Sequence, residues 1–142
     1  MDILENVISK VSKDIEILLS VDSVTFKRDS TITKAKPILY ISKDTKPKVL
    51  CWGKEAPPNE EHLKINVFNH NATGEKISAS IEECLVAFFS MGIREVVGWS
   101  SLVRPKIIVH NIDSLSRMAS NVHKDLIEKV LMQCGARLCK FL

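Results

Sequence analysis

The chain has no run of five basic residues, no internal repeat, no low-complexity segment and no linker long enough to divide it. Each absence excludes something. Twenty Lys and Arg are scattered among 17 Asp and Glu, and a net charge of +3 provides no electrostatic footprint for nucleic acid. The unbroken apolar run Leu85-Val86-Ala87-Phe88-Phe89 is far short of the ~20 residues a membrane span needs. No secretory signal precedes Cys51, Cys84, Cys134 and Cys139, so they are expected as reduced, mostly buried thiols of a cytoplasmic protein. Without such a signal, the Asn71-Ala72-Thr73 sequon carries no expectation of glycosylation. With 45% hydrophobic and 26% charged residues, the balance is that of an ordinary globular chain. Its 142 residues suit a single domain, 1–142, burying roughly 68–70% of its unfolded surface.

Patterns that carry chemistry are also missing. Ser100-Ser101 and Asp113 have no Gly-x-Ser-x-Gly elbow around them, which removes support for a hydrolase triad. Glu82 and Glu83 are adjacent on a predicted helix and so diverge. His110, His123, Cys134 and Cys139 lack the close pairing of a structural zinc site, and Cys134 falls on an apolar stripe. Trp52 and Trp99 have no basic stripe beside them, so core or interface packing is expected rather than base stacking. No catalytic residue, cofactor or metal ligand is expected.

What is present begins with the last third. Lys106 to His110 is a β-branched run after Pro105, the pattern of a buried strand. Asp113 or Ser114 then caps a predicted helix of about six turns, striped by Leu115, Met118, Val122, Leu126, Ile127, Val130, Leu131 and Cys134. Gly135 takes the left-handed position after it, and Arg137 to Leu142 resumes as a strand. Two strands joined by a crossover helix should lie parallel in one sheet.

Residues 1–12 place Ile3, Leu4, Val7, Ile8 and Val11 on one face of a predicted amphipathic helix. Its polar face is nearly neutral rather than rich in Lys and Arg, so packing on the domain or a partner is favoured over a membrane surface. Ile15, Ile17, Leu18 and Leu19 read as a central strand covered on both faces. Ser20 to Ser23 is a turn, Val24 to Arg28 a returning strand, and Asp29-Ser30-Thr31 a second turn. Ile38 to Ile41 is the predicted third strand and Val49 to Trp52 a fourth, closed by Gly53. Lys54 to Thr73 reads as loop with a short strand at Leu63–Phe68. Glu75 to Phe89 is the second strong helix, ended by Gly92, and Ile93 to Val103 has no regular period. The expectation is an α/β fold: a mixed five-stranded sheet with flanking helices, a three-strand meander followed by α-β-α-β. That is the ribonuclease-H-like or actin-like layout.

Several segments resemble the first half of a bacterial actin homologue, the rod-shape-determining MreB/Mbl family. SKDIEILLSVDSVTF (12–26) resembles its opening S-K-D-I-x-I-D-L-G-T-A-N-T. AKPILYI (35–41) resembles E-P-S-V-V-A-I, and VLCWGKEA (49–56) resembles V-x-A-V-G-x-E-A. The stretch from Arg104 resembles R-P-x-V-V-I-C-V-P with its helix and G-A-R-E-V strand. The resemblance implies an actin-like half-domain. The departures fall where that family binds phosphate: Leu18 replaces the aspartate and Ser20 the glycine, leaving a degenerate loop of Leu18, Ser20, Val21, Asp22 and Ser23. Backbone amides cradle phosphate where no Cβ obstructs the approach, and the family's second half is absent from this sequence.

The expected function is therefore a non-enzymatic scaffold or protein-interaction module that has lost ATP binding. It would act through a protein partner or self-association at the C-terminal strand and helix surface, with Leu138, Phe141, Ile127 and Val130 as candidates. A ribonuclease-H-like metal-dependent enzyme, using Asp14, Glu16, Asp22 or Asp113, is the alternative, as is a nucleotide-binding protein completed by a partner chain. A membrane-surface adaptor using residues 1–12 is the third reading.

Overall fold

The hydrogen-bonded ladders alternate buried and exposed side chains, and that alternation determines which face of each strand meets the helices. A computed structural model describes residues 14–20, 22–44, 47–53, 55–58, 61–68, 80–97, 104–115 and 124–142. The predicted helix of residues 1–12 lies outside them, as do Val21, Trp99, Met118, Val122 and His123. Strands are β1 (Ile15–Leu19), β2 (Val24–Arg28), β3 (Thr31–Ala35), β4 (Ile38–Ser42), β5 (Val49–Trp52), β6 (His62–Asn66), β7 (Lys106–His110) and β8 (Leu138–Phe141). The helices are α1 (Ile81–Val97) and α2 (Lys124–Gln133), with a 3-10 turn at Ile112–Ser114.

A five-stranded mixed sheet runs β3-β2-β1-β7-β8, and a three-stranded sheet runs β5-β4-β6. β1, β2 and β3 form an antiparallel meander, while β7 lies parallel to β1 and β8 parallel to β7. The expected β-α-β unit is present in its strand pairing. The third meander strand is a correction. It is Thr31–Ala35, and Ile38–Ser42 is instead the centre of the second sheet, antiparallel to both neighbours. Asp29, at φ 56, turns the chain tightly enough for Arg28 to face Thr31. Lys36 and Pro37 then pass the chain to the second sheet, where Gly53 donates to Ile38 O at 2.8 Å. Gly53 has φ +57, and a Cβ there would strike Ala35.

One core joins both sheets and both helices. Ile15, Ile17, Leu19, Val24, Phe26, Ile107 and Val109 point into it from the large sheet, and Leu39, Ile41 and Ile65 from the small one. Phe26, Trp52, Phe88, Phe89 and Phe68 form a ring cluster with centroids 5.5 to 6.3 Å apart. Edge-to-face and tilted pairs of this kind add to the area they bury.

The helix limits correct the sequence reading at two points. Gly92 does not end α1, which continues to Val97; the Phe26 ring fills the space a Cβ would need, so glycine allows close approach instead of termination. At the other end α1 starts at Ile81. Glu83 N–H donates to Ser80 Oγ at 3.1 Å, and the Ser80 hydroxyl reaches the Glu83 carboxylate at 3.3 Å. This is an S-x-x-E cap. The end of α2 follows expectation: Gly135 (φ 107) donates to Met132 O and Ala136 to Leu131 O, the paired bonds of a Schellman motif. Arg104 adds bonds to Gly135 O at 3.1 Å and Met132 O at 3.3 Å.

β1 differs from the doubly covered strand the sequence suggested. Its pattern is alternating, and Leu18 is 43% exposed. α1 and α2 pack against the same face, the one carrying Phe26 and Val109. The opposite face is open among the described residues.

Candidate functional site

The turn expected to correspond to a phosphate loop lies at the carboxyl ends of β1 and β7, where open α/β sheets usually hold ligands. Its local chemistry is closed. Ser20 N–H donates to Ser23 O at 2.9 Å. The Ser20 hydroxyl lies 3.1 Å from Asp22 Oδ1 and 2.9 Å from Ser23 Oγ. Ser23 is buried and Asp22 exposed. Thus the Ser20 N–H and the Ser20 hydroxyl are engaged within the turn, and the carboxylate beside them repels negative charge.

Asn111 completes this end of the sheet. Held at φ 65, ψ 39, it donates from Nδ2 to Leu19 O at 2.9 Å, joining β1 to the end of β7. Its own N–H donates to Leu142 O at 3.2 Å, and its carbonyl accepts from Ser114 N–H and Oγ. Asparagine tolerates the left-handed region, which accounts for the residue type. Sequence reasoning missed it because its partner lies 92 residues away.

The acidic candidates do not converge. Glu16 stands on the open face with His110, their side chains 3.0 Å apart and both partly exposed. Asp22 is in the turn, and Asp14 and Asp113 are exposed. Among the described residues, no three His, Cys, Asp or Glu side chains are grouped to hold a metal.

The C-terminal interaction candidates separate into three environments. Ile127 and Val130 are fully buried, so they are core residues and not a surface offered to a partner. Phe141 faces the helix layer, half-buried, with Lys124 Nζ 5.1 Å from its ring centre. Leu138 is 49% exposed and points the other way, onto the open face, because residues three apart on a strand face opposite sides. These four residues therefore do not form one surface.

Cys84, Cys134 and Cys139 lie in or against the apolar core, Cys51 hydrogen-bonds to Glu55 O, and all four thiols are free. Burial, with Glu83 nearby, pushes Cys84 up to about 11. Burial also pushes Cys139 to about 11, helped by Glu128 and Cys134. Cys134 is raised by burial as well, although the Ser90 hydroxyl 3.3 Å away opposes the shift. Such thiols are poor nucleophiles. Across the helix layer, Gln133 at 2.6 Å and Lys129 at 3.3 Å hold the Glu82 carboxyl below its usual range. A surface depression of about 590 Å³ is lined, among the described residues, by Asp125, Glu128, Lys129, Met132 and Gln133 of α2.

No protein-family model matches this chain, and no curated protein matches it significantly. The class defined by the coordinates is a mixed α/β protein with a five-stranded sheet and two described helices on one face.

Proposed function

We propose that this chain is a non-catalytic, actin-like scaffold of ribonuclease-H-like layout that binds protein and has lost ATP binding. The observation that carries the reading is the Ser20–Ser23 turn, in which the Ser20 N–H and hydroxyl are engaged by Ser23 and Asp22 of the same turn. The strand order β3-β2-β1-β7-β8, with an antiparallel meander followed by two parallel strands, supports the layout. Leu18 also supports the reading. It stands where the resembled family has its aspartate, and a leucine cannot orient a metal-bound water.

The protein-binding half of the proposal rests on β8. Among the described residues it is an edge strand, and its first residue, Leu138, is exposed. An edge presents unpaired backbone groups to another chain, and a two-fold dimer is the commonest homo-oligomer. The test has two arms. Mg-ATP should produce no rise in melting temperature below millimolar concentration, equivalent to a binding free energy no better than about −4 kcal/mol. Saturation at micromolar Mg-ATP overturns the nucleotide half. Solution mass at high micromolar protein should exceed a monomer, and Leu138→Asp should reduce it with the circular-dichroism melt retained. A strictly monomeric protein with no recovered partner overturns the assembly half.

A further inference from the structure

β3 is the outer strand of the large sheet at the end opposite β8, among the described residues. Thr31, Ile32 and Lys34 are exposed, and only Ala35 is buried. Ile32, at 61%, is the most exposed large hydrophobic residue of those described. The direction of the backbone follows from the hairpin. Only Asp29 and Ser30 separate the paired Arg28 and Thr31, and a two-residue turn with Asp29 in the left-handed region closes on a hydrogen-bonded pair. Alternation then turns the N–H and C=O of Thr31, Thr33 and Ala35 toward β2, and those of Ile32 and Lys34 outward. Counting from the other side of the sheet agrees. The Leu19 carbonyl faces Asn111 and β7, so the backbone groups of Leu18 and Glu16 face β2, and those of Phe26 and Arg28 face β3. Sheet edges are commonly guarded by proline, a bulge or a charge. The ladder of β3 with β2 runs without a register shift, its sequence has no proline, and Lys34 is its one charge.

We infer that β3 pairs with β3 of a second copy of this chain, antiparallel about a two-fold axis at Thr33, so that two five-stranded sheets join into one. The placing of Lys34 decides the register. With the axis at Thr33, Ile32 of each copy faces Lys34 of the other, and both residues exchange N–H···O bonds across the seam. Thr33 then meets its own counterpart as a non-hydrogen-bonded pair, where side chains come closest and Thr–Thr pairs are favourable. An axis at Lys34 would set two ammonium groups against each other. An axis at Ile32 would put Lys34 opposite Ser30, which lies in the turn, and its outward groups would lose their partners. A second copy is the occupant because the strand is its own complement: reversal about Thr33 exchanges Ile32 with Lys34 and opposes no like charges. The hydrocarbon of Ile32 is covered by a Lys34 stem, whose ammonium still reaches water. On the helix side, Thr33 Oγ1 donates to Glu95 at 3.2 Å, so a carboxylate of each copy approaches the axis, a repulsion that salt screens.

β3 and β8 are opposite edges, so the inference rests on neither the actin-like reading nor a contact at β8. Its test uses the full chain. Thr33→Cys places two thiols across the axis at a Cα separation of about 4.5 Å, within disulfide reach. Oxidised glutathione should convert most of that variant to a covalent dimer that dithiothreitol reverses. Thr31→Cys, on the same face of the strand but off the axis, should stay a single chain on the same non-reducing gel, as should the parent. Without cross-linking, solution mass should rise toward two chains at high micromolar protein. Ile32→Lys, at a position already exposed, sets lysines opposite each other along the seam and should weaken the dimer about tenfold with the melt retained. Lys34→Pro removes an outward N–H that β2 does not use, and should also weaken it. Equal cross-linking of Thr31→Cys and Thr33→Cys overturns the inference, as does a dimer that Ile32→Lys leaves intact or a strictly monomeric chain. Association lost on Leu138→Asp but not on Ile32→Lys belongs to β8, and overturns this inference while leaving the functional proposal standing.

Discussion

The two faces of the five-stranded sheet are built from alternate residues of the same strands, yet they obey different rules. On the helix side, Ile15, Ile17, Phe26, Ile107 and Val109 have no exposure and form a continuous apolar layer. On the other side, their immediate neighbours Glu16, Leu18, Lys27, Ile108 and His110 mix charge, imidazole and hydrocarbon. The covered face is specified by volume, since every added or deleted methylene is felt in a close-packed layer. The open face is specified only by having enough hydrocarbon to receive something and enough charge to stay in solution.

Substitutions of graded severity sharpen that contrast. Phe88→Ala removes the ring packed against Phe26, Trp52 and Phe89, and should cost about 3–5 kcal/mol by urea unfolding. A cost under about 1 kcal/mol would show that the covered face tolerates voids, contrary to its close packing. Gly92→Ala adds the smallest possible side chain where the Phe26 ring lies, and should destabilise by about 1–3 kcal/mol despite alanine's higher helix propensity. A gain in stability would mean that the ring moves aside freely.

The thiols give the comparison a pH axis. With Cys84 and Cys139 pushed up to about 11, about one in a thousand is thiolate at pH 8, and alkylation of the folded protein should rise about tenfold per pH unit. Their ordinary value is 9.0, so between about 9 and 11 the unfolded chain loses these protons first. Stability contributed by the neutral thiols is complete below pH 9 and is lost as pH rises through 11. Urea midpoints across that range should fall, and a rise would contradict the burial of these groups. The smallest effect is expected at the open face's margin. Ile32→Thr, at a site 61% exposed on β3, should change stability by no more than about 0.5 kcal/mol.

The last third of the fold was legible because its signals are local: a β-branched run for β7, a stripe for α2, and a glycine at the Schellman position. β3 was not. Its Thr31-Ile32-Thr33-Lys34-Ala35 sequence buries only Ala35, so no apolar alternation marks it, and the nearby apolar Ile38–Ile41 run took its place. The Gly92 error has a tertiary cause, because nothing in the helix's own sequence reveals that Phe26 lies against it. The start of α1, by contrast, was available in the Ser80–Glu83 cap. Leu18 beside Leu19 suggested continuous burial, whereas only the location of both helices on one side decides which leucine is covered. At the candidate site, the substitutions Leu18 and Ser20 were visible, but the mutual bonding of Ser20, Asp22 and Ser23 required coordinates. So did the separation of Leu138 from Phe141, although their spacing of three already implied opposite faces.

The parallel pairing of β1 with β7 also bears on how the chain comes to be folded. Ile15 meets Ile107, and Asn111 secures Leu19 across the same junction, a separation of 92 residues. Contacts that distant incur their loop-closure entropy before they return any stability, which places this junction among the slow steps. At ribosomal rates of roughly 5–20 residues per second, β1 is complete on the order of 5–18 s before its partner is synthesised. During that interval the meander has an unpaired edge beside Ile15, Ile17 and Leu19. An edge left unpaired for that long is open to pairing with other chains, so its shielding during synthesis bears on the yield of native protein.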